Sequence, residues 1–183
     1  MGSWIAGGIG VLMLFYVIWS YNRLVALRMR VRNGWSQIDV QLRRRHDLIP
    51  YLVESVKGYM AHERGVIDSI TRARQQAIAA GSNLPVRVAA ENSLSRSLRS
   101  FVVQAEAIPE LRASETMLSL QEELSSTENR IAFARQYYND SVMEYNTAIT
   151  TVPNNLIAGP FAFAPEMLFT ADETDREPVA VRF

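Results

Sequence analysis

Three hydrophobic patterns follow one another along the chain. From Trp4 to Trp19 the sequence is almost wholly apolar (WIAGGIGVLMLFYVIW), and no side chain before Arg23 carries a charge. Beyond Arg23 apolar residues become periodic, at Leu24, Val31, Trp35, Ile38, Leu42, Ile49, Leu52, Val56 and Tyr59. The steps of 4, 3 and 4 from Val31 to Leu42 are those of a coiled-coil-like helix. Arg45 stands where this stripe should continue, and Pro50 follows; with Asp47 as an N-cap, the spacing predicts a kink or break near residues 45–50. The next helix should run to about Ala80, with Gly81 as its left-handed stop. Pro85 opens another, which carries Val88, Leu94, Leu98, Phe101 and Val102 on one face and ends or bends at Pro109. The clearest pattern is the last. Met117, Leu120, Leu124, Thr127, Ile131, Ala134, Tyr138, Ser141, Tyr145, Ala148 and Val152 step by 3 and 4 throughout, between a Ser114 cap and a Pro153 stop.

Strand signals are nearly absent, so the expected fold class is all-α: an N-terminal transmembrane helix continuing into a long antiparallel helical bundle, with an extended C-terminal tail. The boundaries are residues 1–22 for the anchor, 23–152 for the bundle and 153–183 for the tail. In the tail, Pro153, Pro160, Pro165 and Pro178 exclude a long helix, while Phe161, Phe163, Phe169 and Phe183 supply apolar anchors. Such a segment should lie in a groove, on its own bundle or on a neighbour.

Twenty-two helical residues reach about 33 Å, enough to cross a hydrocarbon core of roughly 30 Å. Trp4 near one end, and Tyr16, Trp19 and Tyr21 near the other, suit the two interfaces. A cleaved signal peptide fits less well, because Met1-Gly2-Ser3 has no basic residue and no A-x-A site follows the apolar run. Arg23, Arg28, Arg30 and Arg32 follow the span with no acidic residue before Asp39. The positive-inside rule then places the bundle in the cytoplasm and the N-terminus outside. Anionic lipid headgroups are the expected partners of these four arginines. Ser3 with Gly7, and Ala6 with Gly10, are small-xxx-small pairs through which spans can pack.

Charge changes the picture more than composition does. Nineteen basic and nineteen acidic residues cancel. Up to Ala105 the count is 14 basic and 6 acidic, a net +8; beyond it, 5 basic and 13 acidic give −8. Two halves so charged attract each other, or the basic half meets an anionic surface. Arg43, Arg44 and Arg45 lie roughly 20 Å past the first arginines and are expected to pair with acids of the last helix such as Glu122, Glu123 and Glu128. Beside the last apolar stripe, Gln121, Glu128 and Arg135 recur every seven residues, as do Asn139 and Asn146. This polar stripe is either a solvated face or a half-buried hydrogen-bond ladder that fixes register or contacts another subunit.

Little chemistry is available. Without cysteine there is neither a disulfide nor a thiolate, and only His46 and His62 could serve as imidazole ligands. His62-Glu63 begins an H-E-x-x-H motif, but Val66 stands where its second histidine should be. His46 beside Asp47 is expected to be an exposed residue near a helix cap. No enzyme activity, cofactor, metal, nucleic acid or small-molecule substrate is therefore expected.

Several blocks in order resemble the LemA family: Tyr21-Asn22-Arg23-Leu24, Trp35-Ser36-Gln37-Ile38-Asp39-Val40-Gln41-Leu42, Arg45-His46-Asp47-Leu48-Ile49-Pro50 and Val56-Lys57-Gly58-Tyr59. Near the end come Thr127-Glu128-Asn129-Arg130-Ile131, Ala134-Arg135-Gln136-Tyr137-Tyr138-Asn139 and Tyr145-Asn146. The likeness runs from residue 4 to Phe183 and is weakest over Arg87–Ala105. It implies a bacterial inner-membrane protein with one span and a cytoplasmic helical bundle, among whose relatives is a magnetosome membrane protein. It carries no catalytic residue over. The expected function is a non-enzymatic scaffold that forms a homo-oligomer and shapes the membrane or clusters partners. The alternative is an adaptor or regulator of an HtpX-type membrane protease in envelope stress.

Overall fold

A computed structural model describes residues 2–60, 64–81 and 83–169. The described residues form six helices and no strand: α1 (Gly2–Val56), α2 (Arg64–Ala79), α3 (Leu84–Glu106), α4 (Pro109–Arg112), α5 (Glu115–Thr150) and α6 (Asn155–Ala158). The chain divides into two compact units. One joins residues 2–38 to residues 133–168; the other holds the described part of 39–132 with residue 169.

In the first unit, the start of α1 pairs antiparallel with the end of α5. Leu24, Leu27, Val31 and Ile38 face Ala134, Tyr138, Val142, Tyr145 and Ile149 as a buried seam. Gly34 lets the two backbones approach: a Cβ there would lie 3.1 Å from Tyr138 Cα. Trp35 packs on Tyr138 with the rings tilted by 59° and 5.8 Å between centroids. After α5 the chain turns through α6 and returns along its own unit. Val152 was expected to extend the last stripe, but α5 ends at Thr150 and Val152 points outward.

In the second unit, the end of α1, α2, α3, α4 and the start of α5 enclose a core of Ile49, Leu52, Val56, Ile70, Leu94, Leu98, Phe101, Met117 and Leu124. Asn83 caps α3 by accepting from the Val86 amide at 3.3 Å, and Ser114 Oγ accepts from the Met117 amide at 3.4 Å to start α5. Gly81 takes φ +59° after α2, as its lack of a Cβ allows.

Of the kink or break expected near residues 45–50, the break is not found: α1 continues through Pro50. A proline has no N–H for the carbonyl four residues before it, here that of His46. Arg74 Nε of α2 donates to that carbonyl at 2.7 Å instead. The helix therefore runs on to Val56, and Asp47 lies within it rather than capping it. The turn comes later, where the Tyr59 and Met60 amides both donate to the Val56 carbonyl. Tyr59, expected in the apolar stripe, is exposed, and Met60 takes the inward place.

Candidate functional site

Two features stand out, one in each unit. In the first unit it is the start of α1, the one candidate membrane span among the described residues. None of its most apolar 18-residue window is buried. Trp4, Leu12 and Phe15 are each more than three-fifths exposed. Ser3, Ala6, Gly7 and Gly10 lie on this bare helix, and a Cβ at Gly7 or Gly10 would touch nothing within 4 Å. Among the described residues, none packs against Gly7 or Gly10.

The expected headgroup arginines follow. Arg23 lies over the Trp19 ring at 5.6 Å from its centroid, and Arg32 is exposed. Arg28 is half-buried near Tyr145. Arg30 forms an exposed pair with Glu144 at 3.2 Å; such a pair adds at most about 1 kcal/mol.

Polar side chains of α5 hold the returning chain. Tyr138 and Tyr145 hydroxyls donate to the carbonyls of Met167 (2.8 Å) and Ala164 (3.0 Å). Asn146 donates to the Glu166 carbonyl at 2.8 Å and accepts from its amide at 2.9 Å. Burial pushes both tyrosines above the usual phenol range; the Glu166 charge adds to this, and at Tyr145 Arg28 opposes it. Phe161 and Phe163 pack on Tyr21 at 4.9 and 5.7 Å between centroids. So this stretch of the tail lies on its own unit. Phe169 is buried, and Phe183 lies outside the described residues.

In the second unit the feature is a buried ion cluster around Arg45, whose side chain is 0% exposed. Its Nη1 donates to Glu128 Oε1 at 2.7 Å and to Ser95 Oγ at 2.8 Å. Its Nη2 donates to Glu91 Oε2, and His46 Nε2 lies 3.1 Å from the other oxygen of the same carboxylate. Burial alone would raise the Glu91 carboxyl, but its hydrogen bonds and attraction to His46 and Arg45 outweigh that and hold it below the usual carboxylate range. His46 is therefore a buried partner, not the exposed residue expected. Its place on α1 next to Arg45 turns it towards α3.

A second cluster flanks the first. Asp39 accepts from Arg87 and pairs with Arg43 at 2.7 Å. Its carboxyl resists burial in the same way and is held low by Arg87 and Arg43. Arg43 was expected to reach α5 but pairs within its own helix; Arg44 lies 3.8 Å from Glu123 of α5.

The expected polar stripe is thus put to several uses. Glu128 joins the Arg45 cluster, Asn146 holds the tail, and Gln121 lines an open groove beside Leu98, Val102 and Leu124. Arg135 and Asn139 are half-buried. Sequence reasoning missed Glu91, Ser95 and Arg74. A signal for Glu91 existed: it stands between Val88 and Leu94 on the inward face of α3, as Arg45 stands on the inward face of α1. Two opposite charges on facing apolar stripes predict each other.

Among the described residues no group of three His, Asp or Glu side chains is placed to hold a metal ion, and His62 and Glu63 lie outside them. The LemA family model matches residues 34–183. The chain is 27% identical to Protein LemA of Metamycoplasma hominis, over 91% of this chain and 77% of that protein. It is 23% identical to Magnetosome protein MamQ of Magnetospirillum gryphiswaldense and to Magnetosome protein MamQ 2 of Paramagnetospirillum magneticum, over 75% of this chain. It spans only 60% of the length of either magnetosome protein.

Proposed function

The chain belongs to the LemA family, and on that footing we propose that it is a membrane-anchored, non-enzymatic scaffold, held by one span and acting through self-assembly. The observation that carries this reading is the start of α1. A helix apolar on all faces, long enough to cross a bilayer and, among the described residues, with none of its most apolar window buried, is stable only where lipid covers it. The same helix in water would expose a contiguous apolar surface far larger than soluble monomers show. Likeness to proteins named for the magnetosome supports a membrane setting.

Self-assembly draws on two features. Gly7 and Gly10 leave room for close approach of a second span. Phe133 is 73% exposed, with Tyr137 one helical turn further on the same face of α5. The buried ion cluster ties α1, α3 and α5 together through matched charges, Arg45 with Glu91 and Glu128 and His46 with Glu91. Arginines beyond the span orient the bundle to the cytoplasm under the positive-inside rule.

Two measurements test the proposal. The protein should stay with membranes through alkaline washing; release into the supernatant would refute the anchor. Detergent-purified protein should then show one defined oligomeric mass by size exclusion with light scattering. A clean monomer would refute the scaffold and favour the adaptor of a membrane protease.

A further inference from the structure

The α5–α6 turn is the strongest feature left unexplained by an anchor and a bundle. From Tyr145 to Pro165 the chain carries no charge, although it lies between Glu144 and Glu166. Its tip bares three large apolar side chains, Val152 at 78%, Leu156 at 72% and Phe161 at 52% exposed, beside the exposed polar Thr151 and Asn155. A turn facing only water would not be expected to bare three such apolar groups together.

The register of the first unit says where this tip lies. Trp35 meets Tyr138, Arg30 meets Glu144 and Ser20 meets Asn154, with residue numbers that add to 173 or 174 each time. The pairing continues past Arg23 into the span. Ser20 Oγ and Tyr16 Oη both donate to Asn154 Oδ1, at 2.8 and 3.2 Å. Beyond them Leu156 and Ile157 flank an apolar groove with Leu12 and Met13 of α1, about 440 Å³ in volume. Leu12 precedes Arg23 by eleven residues, roughly 16 Å along the helix, or about half the depth of a hydrocarbon core.

The backbone of the turn suits that depth. Lipid offers no hydrogen bonds, so a non-helical segment there must satisfy its own amides. Nine of the eleven amides from Thr151 to Phe163, all but those of Val152 and Asn154, donate to carbonyls of residues 147–159, and Pro153 and Pro160 have none to satisfy. The Thr150 and Thr151 hydroxyls donate back to carbonyls of α5. Asn154 is buried against Tyr16 and Ser20 rather than facing outward.

We propose that the α5–α6 turn is a second membrane element: Val152, Leu156 and Phe161 enter the acyl region of the leaflet on the arginine side, continuous with the bare surface of the span, and lipid chains fill the groove. This rests on the anchor reading above. Its consequence is mechanical, because the protein grips one leaflet by two elements and the other by a single helix.

The absence of cysteine makes the test direct. Phe15→Cys in the span, Leu156→Cys at the tip and Ser126→Cys on an exposed face of α5 are each labelled with an environment-sensitive fluorophore. The full chain is placed in phosphatidylcholine–phosphatidylglycerol vesicles, with or without lipids bearing a nitroxide high on the acyl chain. The labels at 15 and 156 should shift to the blue and lose most of their emission to the nitroxide, while that at 126 keeps its emission. Quenching at 15 but not at 156 overturns the proposal and leaves the anchor standing. Quenching at neither overturns both. An unquenched 156 position that crosslinks to itself assigns the tip to a second copy, and also overturns the proposal.

Discussion

Arg45 shows how one residue can tie a bundle together. It sits on the apolar stripe of α1, where a charge is costly unless matched. Glu91 and Glu128 match it, and His46 completes the coordination of Glu91. Because the Glu91 carboxyl is held low in the folded state, its contribution to stability is complete above its unfolded pKa of about 4.5 and is lost as pH falls through the depressed folded value. Glu91→Gln should therefore flatten the acid limb of the stability curve below about pH 4.5 and cost about 3–5 kcal/mol at neutral pH by leaving Arg45 under-compensated. Denaturant unfolding in detergent at a series of pH values checks both. Gly34 is the second residue where an atom matters. Alanine there would gain about 1 kcal/mol of helix propensity but press on the Tyr138 backbone 3.1 Å away, which overpacking makes worse by about 1–3 kcal/mol. Gly34→Ala should lower the melting temperature, whereas Gly65→Ala, with nothing within 4 Å, should raise it.

Among the elements, α1 is the one whose extent the sequence left open. Pro50 alone argues for a break; Arg74 from another helix supplies the missing partner and removes the reason for one. Arg74→Ala should cost about 1–3 kcal/mol, the range for a buried acceptor left unmade. Local hydrogen exchange should rise around residues 47–54. Arg72→Ala removes only an exposed bond to a carbonyl of its own helix and should leave the melting temperature nearly unchanged. The tail is the converse case. Its phenylalanines announced an apolar segment, and Tyr138, Tyr145 and Asn146 decide that residues 164–167 lie on α5 of the same chain.

At the scale of the molecule, the uneven charge has two uses. In the proposed anchor, the basic excess after the span would face an anionic surface, at about 1 kcal/mol per residue close to it, and would set the orientation. Replacing Arg23, Arg28, Arg30 and Arg32 together by Gln should give a mixed topology, read as partial cleavage of the bundle by protease outside intact cells. A uniformly protected bundle would show that these charges do not set the orientation. Further along, opposite charges meet, inside the fold for Arg45 with Glu91 and Glu128 and at its surface for Arg44 with Glu123.

The sequence by itself determined the helical class, the candidate span, most helix ends and the two long apolar stripes. Each follows from local causes: hydropathy over a window, a 3–4 periodicity, and Pro, Gly, Asn or Ser at a terminus. The tertiary structure decided what depends on residues far apart in the chain. Glu91 becomes the partner of Arg45 and His46, Arg74 carries α1 past Pro50, and Asn154 sets the α5–α6 turn beside Tyr16 and Ser20. No local pattern encodes those distances. They arise because packing the apolar stripes brings otherwise unmatched polar groups together, and a buried polar group is tolerated only where it finds a partner.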